Sequence, residues 1–267
     1  MTRYESIGGS YSQTRKPDAR ITRRIIELLD LPAGSTVADI GAGTGNYSRE
    51  LQHAGYHMVC VEPSSVMRAQ APLQPQLRWI DASAESIPLH DSSVDGAIAI
   101  LSCHHFSDHE KALGEIDRIT GPGPIVLFTV SPEPLARFWL CEYFPWLLEE
   151  ASTAFPPVRD LVRDISRWTG RAVKDFPFPL PPDLSDRFAA SGWAQPETYL
   201  NPDVRRGISS FARMPEDALR AGLERLRDDL ESGKWAATHG RMLSQSEYDA
   251  GYRFLKLDAG PRRREAA

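Results

Sequence analysis

Three glycines in five residues, Gly41, Gly43 and Gly45, follow the apolar run Thr36–Ile40 and precede a helical stretch from Asn46. Glycine permits positive φ and lets a ligand lie against the backbone, so this turn between strand and helix predicts a nucleotide-type site. A dinucleotide fits it poorly. That fingerprint asks for Gly or Ala at position 46, where the chain has Asn46. A pyrophosphate at the helix N-terminus would also be repelled by Asp39, just before the turn. An anion at a strand end suits a cationic ligand instead. Glu62 ends the next apolar run, about twenty residues on, where a carboxylate can accept from two ribose hydroxyls. These residues together predict a nucleoside ligand that carries positive charge and no phosphate.

A second group of candidate residues lies further along. His104 follows an apolar run at what should be a strand's carboxyl end, where ligands bind in open α/β sheets. An imidazole titrates near neutrality, so His104 is the candidate general base. On an extended chain His105 would point to the opposite side and serve as packing. His104 and His105 are adjacent, and Ser107–Glu110 reads as a capping box, so the sequence predicts no metal site. Cys103 is expected to be a plain pocket-lining residue, because nothing at this spacing lowers its pKa.

These residues need a frame to hold them. Ile21, Ile25, Leu28 and Leu29 recur at helical spacing over residues 18–29. Thr36–Ile40, Met58–Val61, Leu77–Ile80, Val94–Leu101 and Ile125–Val130 read as five short strands, with helical stretches at 46–54, 64–71 and through Thr120 between them. Strand–helix alternation at this pitch predicts parallel crossovers and a doubly wound α/β sheet. Residues 172–178 and 251–257 would supply a sixth and a seventh strand, with a helix over 215–230. Phe138, Trp139, Tyr143, Phe144, Trp146, Phe155 and Trp168 crowd the segment between, as either core or a lid over a small-molecule pocket. The expected organisation is an N-terminal lid and helix over 1–30, a cofactor-binding core over 31–131 and a helical, aromatic substrate region over 132–250. A closing strand over 251–258 and a flexible tail over 259–267 complete it.

Composition narrows the function classes. The chain has 267 residues, 41% hydrophobic and 25% charged, with 31 basic against 36 acidic side chains for a net charge of −5. A nucleic-acid binder normally shows a basic surplus, and only Arg262–Arg264 is locally basic. No apolar run approaches a membrane span, the N-terminus lacks the apolar stretch of a signal peptide, and three unpaired cysteines suit a reducing cytoplasm.

Asp39-Ile-Gly-Ala-Gly-Thr-Gly-Asn-Tyr resembles the first motif of the class I S-adenosylmethionine-dependent methyltransferases, and Val61-Glu-Pro-Ser resembles their acidic second motif. Ser83-Ala-Glu-Ser-Ile-Pro-Leu, Asp91-Ser-Ser-Val-Asp95, Leu101-Ser-Cys-His-His-Phe and Glu115-Ile-Asp-Arg-Ile-Thr-Gly-Pro-Gly resemble, in order, motifs of the small-molecule branch. Tyr11-Ser-Gln-Thr-Arg15-Lys-Pro is similar to that branch's N-terminal lid. The resemblance covers about residues 11–130. It implies a Rossmann-like, mostly parallel seven-stranded sheet with helical substrate-lid insertions, and methyl transfer from S-adenosylmethionine to a small organic molecule. The implied cofactor contacts are Gly41, Ala42, Gly43 and Gly45 at the methionine end, beside Asp39. Glu62 would lie at the ribose, Ser83 and Ala84 at the adenine, and Tyr11 and Arg15 over the whole, with Pro63 and Glu85 also binding the cofactor. Ser83 stands where the family often has Asp, and Pro124 where it has a second Gly. The sulfonium and ammonium of this cofactor match the charge logic of Asp39. The rival expectation is a protein of the same fold that binds the cofactor without transferring methyl, such as a lyase, cyclase or regulatory subunit.

Overall fold

The structure, a computed structural model, describes residues 15–71 and 77–259. Seven strands form one sheet: β1 (Thr36–Ile40), β2 (His57–Val61), β3 (Leu77–Ile80), β4 (Gly96–Ile100), β5 (Ile125–Val130), β6 (Val173–Pro177) and β7 (Tyr252–Leu257). Their order is β3-β2-β1-β4-β5-β7-β6. The first five pair in parallel, and β7 runs antiparallel to both β5 and β6. This is the doubly wound, mostly parallel sheet that the strand–helix alternation predicts. The direction of winding reverses between β1 and β4, which leaves a crevice at their carboxyl ends.

Strands buried on both faces need apolar residues at every position, and β5 (Ile125–Val130) is buried throughout. Alternate residues feed two cores. Val37, Met58, Ile98, Val126 and Phe128 pack on the face that carries the helix Ala19–Leu29. Ala38, Val59, Ala97, Ile125 and Leu127 pack with the helices His109–Thr120 and Val158–Thr169 on the other. The first helix opens on Asp18, whose side chain accepts from the Arg20 backbone N–H. The helix at 109 is capped by Asp108, not by Ser107 as the capping-box reading has it. Ser107 is otherwise engaged, because both its N–H and its hydroxyl donate to Glu85.

Two of the motifs turn out to fasten the frame. Glu115 accepts from the backbone of Ile87 and pairs with Arg118, which also donates to the Ile87 and Leu89 carbonyls and to Asp91. Asp95 accepts from the Thr36 backbone N–H at the start of β1. Both sets of contacts hold the loop before β4 in register with the sheet.

The late region folds back over the strand ends. Residues 132–169 are four helices, Pro132–Leu135, Leu140–Tyr143, Trp146–Ala154 and Val158–Thr169. Phe138, Trp139, Tyr143 and Phe144 are buried core residues, while Trp146, Phe155 and Trp168 are partly buried against the cores. A long helix, Glu216–Glu231, follows the shorter pieces after β6. Because β7 is antiparallel, its first residue, Tyr252, pairs with Val130 at the carboxyl end of β5. A residue from the end of the chain is thereby delivered to the crevice.

Candidate active site

The crevice holds a cavity of about 410 Å³, within the range of small-molecule sites. Gly41 and Gly43 of the glycine turn line it, and Gly41, Gly43 and Gly45 have φ of 71°, 59° and 72°. Gly41 has a further reason to be glycine: a Cβ there would lie 2.6 Å from Cβ of Ser102. Ser102 in turn donates to the Ile40 carbonyl at 2.6 Å, tying the end of β4 to the end of β1.

Asp39 is 3% exposed and accepts from Ser48 Oγ at 2.6 Å. Burial pushes its carboxyl up to about 7, helped by the neighbouring Glu62 and opposed by the Ser48 hydrogen bond. Glu62 is also buried. Its two carboxylate oxygens accept from the backbone N–H groups of Gly43 at 2.9 Å and Ser64 at 2.8 Å. Burial raises its pKa, and those two backbone donors work against the rise. The second motif is thus clipped directly to the first, and each Glu62 oxygen keeps a lone pair for a ligand. Thr44, on the cavity wall, has a buried hydroxyl without a hydrogen-bond partner among the described residues.

Of the sequence-predicted residues, Arg15, Asp39, Gly41, Ala42, Gly43, Glu62, Pro63, Ser83, Ala84, Glu85 and His104 all line this one cavity. Gly45 does not; it backs onto Trp79, where a Cβ would sit 3.0 Å from the indole ring. Tyr11 lies outside the described residues. Glu85 borders the cavity but spends one oxygen on the Ser107 backbone and hydroxyl, at 2.6 and 2.9 Å.

The histidine pair departs from the extended-chain expectation. Cys103–His105 is a turn of 3₁₀ helix, so His104 and His105 do not alternate across a strand. Both line the cavity, with ring centroids 3.8 Å apart. Cys103 is not on the cavity wall; it is buried in the core on the far face of the sheet, and burial pushes its thiol up to about 12. The turn begins beyond Leu101, a non-glycine residue held at φ 51°. Such backbone costs roughly 1–3 kcal/mol and is found where surrounding structure dictates a direction. Here it swings the histidines over the crevice.

Three side chains outside the sequence-predicted set join the site. Asp186, 2% exposed, forms a carboxylate fork with Arg15, at 2.5 Å to Nε and 3.2 Å to Nη2. Tyr47 Oη donates to the same carboxylate at 2.9 Å. Asn46 also donates through Nδ2 to the Arg15 carbonyl. Arg15 and Asp186 are 171 residues apart, and only the fold brings them together. A smaller cavity of about 90 Å³ shares Arg15, Leu101 and His104 with the large one.

A sheet of this order, with a glycine turn and two buried carboxylates at the ends of adjacent strands, defines a nucleoside-binding α/β protein. The comparisons narrow the class. A family model described as a methyltransferase domain matches residues 38–128. A crystal structure assigned as a methyltransferase from an antibiotic biosynthesis pathway of Anabaena variabilis is 48% identical. It superposes with a TM-score of 0.89 over 92% of this chain and 99% of that one. Malonyl-[acyl-carrier protein] O-methyltransferase of Pectobacterium atrosepticum is 32% identical over 136 residues, 49% of this chain and 54% of that protein. Demethylmenaquinone methyltransferase of Thermus thermophilus is 28% identical over 191 residues, 66% of this chain and 82% of that protein. The chain spans about half the length of the first of these two relatives. It belongs to the class I S-adenosylmethionine-dependent methyltransferases. Among the described residues no helix is long and apolar enough to cross a membrane.

Proposed function

We propose that the protein transfers a methyl group from S-adenosylmethionine to a small organic acceptor, working in the cytoplasm on a substrate that is not nucleic acid. One observation carries the reading: two buried carboxylates and a glycine turn face a single cavity, and a second, mostly apolar cavity shares Arg15, Leu101 and His104 with it. The first space suits a cationic nucleoside and the second suits an acceptor. The relatives whose names specify acceptors act on unlike molecules, which fits a shared cofactor end and a variable acceptor end.

The residues present fit the cofactor. Thr44, on the cavity wall, offers a buried hydroxyl with unused hydrogen-bonding capacity. Asp39 and Glu62 supply the negative charge that a sulfonium and an α-ammonium call for. Asp39 and the Gly41–Gly43 backbone would hold the methionine end, Glu62 the ribose, and Ser83 with Ala84 the adenine. Arg15, fixed by Asp186, would cover the site from the N-terminal side. When bound, the cofactor supplies an electrophilic methyl carbon. The chain's task is then to bring an acceptor into line with it and to exclude water, and positioning of this kind can lower a barrier by several kcal/mol. His104, at the meeting of the two cavities, is placed to accept a proton from an acceptor hydroxyl or ammonium.

Calorimetric titration tests the reading directly. S-adenosylmethionine is expected to bind and NADH is not, and isotope from labelled cofactor should appear in a metabolite of a cell extract. Tighter binding of NADH would sink the cofactor assignment. Labelled S-adenosylhomocysteine without any methylated product would point to the rival, non-transferring chemistry. With the acceptor in hand, His104→Ala is expected to lower kcat by about 10²–10⁴-fold while cofactor affinity stays nearly unchanged. A variant at full rate would remove the base and leave the methyl transfer standing.

Asp39 makes cofactor binding depend on pH. Its folded-state pKa lies above the unfolded value, so the protonated group stabilises the free protein at low pH. That stability is lost as pH rises from about 4 to about 7. A cationic ligand favours the ionised form, so binding below pH 7 should expel a proton. Calorimetry at pH 6 in two buffers of different ionisation enthalpy should show the release, and it should fade by pH 8.5. Asp39→Asn should abolish it. A proton count near zero at pH 6 in the unaltered protein would refute the assignment.

A further inference from the structure

The 90 Å³ cavity carries information about the acceptor that the cofactor site does not. Its wall is formed by Leu135, Phe138, Leu147, Phe155, Phe188 and Tyr252, drawn from the helical region and the start of β7. It is smaller than the ~150 Å³ apolar cavity that takes up benzene, so it admits no more than one ring, seated partly in the opening at His104. Phe155 lies against the His104 ring at 5.0 Å between centroids, which places the apolar wall directly beside the candidate base.

Two ionic groups interrupt that wall, and each is already neutralised. Arg15 is paired with Asp186. Arg213 donates through Nε to Glu150 Oε1 at 2.5 Å, and its Nη2 pairs with the same oxygen. A carboxylate or an ammonium entering this space would bring an uncompensated charge into an apolar enclosure, which is costly. Yet Arg213 retains donors. Its Nη1 is buried and has no hydrogen-bond partner among the described residues. A guanidinium carries five N–H groups in a fixed fork, and a single Glu150 oxygen engages only part of it.

Resting on the methyltransferase reading above, we infer that this cavity takes an uncharged, apolar fragment of the acceptor, up to one ring, with one oxygen anchored on Arg213. The inference specifies the substrate class: a molecule whose apolar body is uncharged and bears a carbonyl, ether or phenol oxygen. Glu150 is a positioning residue here, holding the guanidinium in place.

The test uses the full-length protein, with and without saturating S-adenosylhomocysteine, and four probes titrated by ligand-observed NMR. These are acetophenone (neutral, with a carbonyl), toluene (no oxygen), benzoate and benzylammonium. Acetophenone is expected to bind at least about tenfold more tightly than the other three, the worth of one hydrogen bond to a charged donor. Arg213→Met should bring acetophenone down to the level of toluene. Ala151→Leu, which adds bulk at a lining position while keeping Arg213 and Glu150, should remove binding of both neutral probes, and circular dichroism checks that each variant is folded. Benzoate or benzylammonium bound more tightly than acetophenone, binding by none of the four, or an acetophenone-to-toluene ratio unchanged in Arg213→Met would overturn the inference. Failure of S-adenosylhomocysteine itself to bind would instead strike the functional reading, because the probe ratios are also measured without it.

Discussion

Replacing Arg171 by methionine is expected to destabilise the protein by about 3–5 kcal/mol, the cost of breaking a buried ion pair from one side. Arg171 has a side chain only 1% exposed and donates through Nε to Asp117 at 2.6 Å. Its Nη1 reaches the carbonyls of Gly123 at 2.5 Å and Asp258 at 3.3 Å, and its Nη2 reaches that of Gly121. One side chain therefore ties the turn before β5, the residue after β7 and the segment before β6. With methionine there, a carboxylate and three carbonyls lose their donor. For a chain of this length the loss corresponds to a fall in Tm on the order of 10 °C, read by thermal denaturation. Pairing the change with Asp117→Leu should recover a part, because it removes the carboxylate that has lost the guanidinium. A Tm within 2 or 3 °C of the parent, as a surface substitution gives, would show that the clamp is dispensable.

Glu62→Ala is expected to weaken S-adenosylmethionine binding by roughly 10²–10⁴-fold. The two hydrogen bonds proposed from its carboxylate to ribose hydroxyls are charge-assisted, each worth about 1.5–3 kcal/mol. The side chain also holds the backbone of Gly43 and Ser64, so part of the loss would come from loosening the glycine turn. Glu62→Gln separates the two contributions. The amide keeps an acceptor oxygen for one backbone N–H and loses the charge, so it should fall between the parent and the alanine variant. Calorimetry reads the affinities, and unchanged binding in Glu62→Ala would remove the ribose assignment.

Local patterning makes most of the cofactor end legible in the amino-acid sequence. A strand buried on both faces has to be mostly apolar, so β1, β2, β4 and β5 stand out as short apolar runs. A turn that needs positive φ at three of five positions is written in glycine. The carboxylates Asp39 and Glu62 sit at fixed offsets from that turn, because the strand ends that carry them are neighbours in a parallel sheet. Even β3, only Leu77–Ile80, is legible at its full extent. These features depend on residues close in sequence or on a repeating crossover, and sequence records both.

The smaller cavity and the histidine turn beside it have no such record. The 3₁₀ turn that brings His104 and His105 to the same cavity depends on the left-handed backbone of Leu101. That conformation is imposed by Leu101 N–H donating to the Phe128 carbonyl and by Ser102 donating to Ile40. Nothing in Leu-Ser-Cys-His-His announces it. Asp186, Glu150, Arg213 and Tyr252 come from four separate stretches of the last half of the chain. Their convergence follows from β7 entering antiparallel beside β5 and from helices packing over the strand ends. What the sequence alone determined is the class of fold and the charge of the cofactor site, because both are local or periodic. The tertiary structure alone decided which side chains line the two cavities together, because contacts between residues far apart in the chain exist only once the whole core has closed.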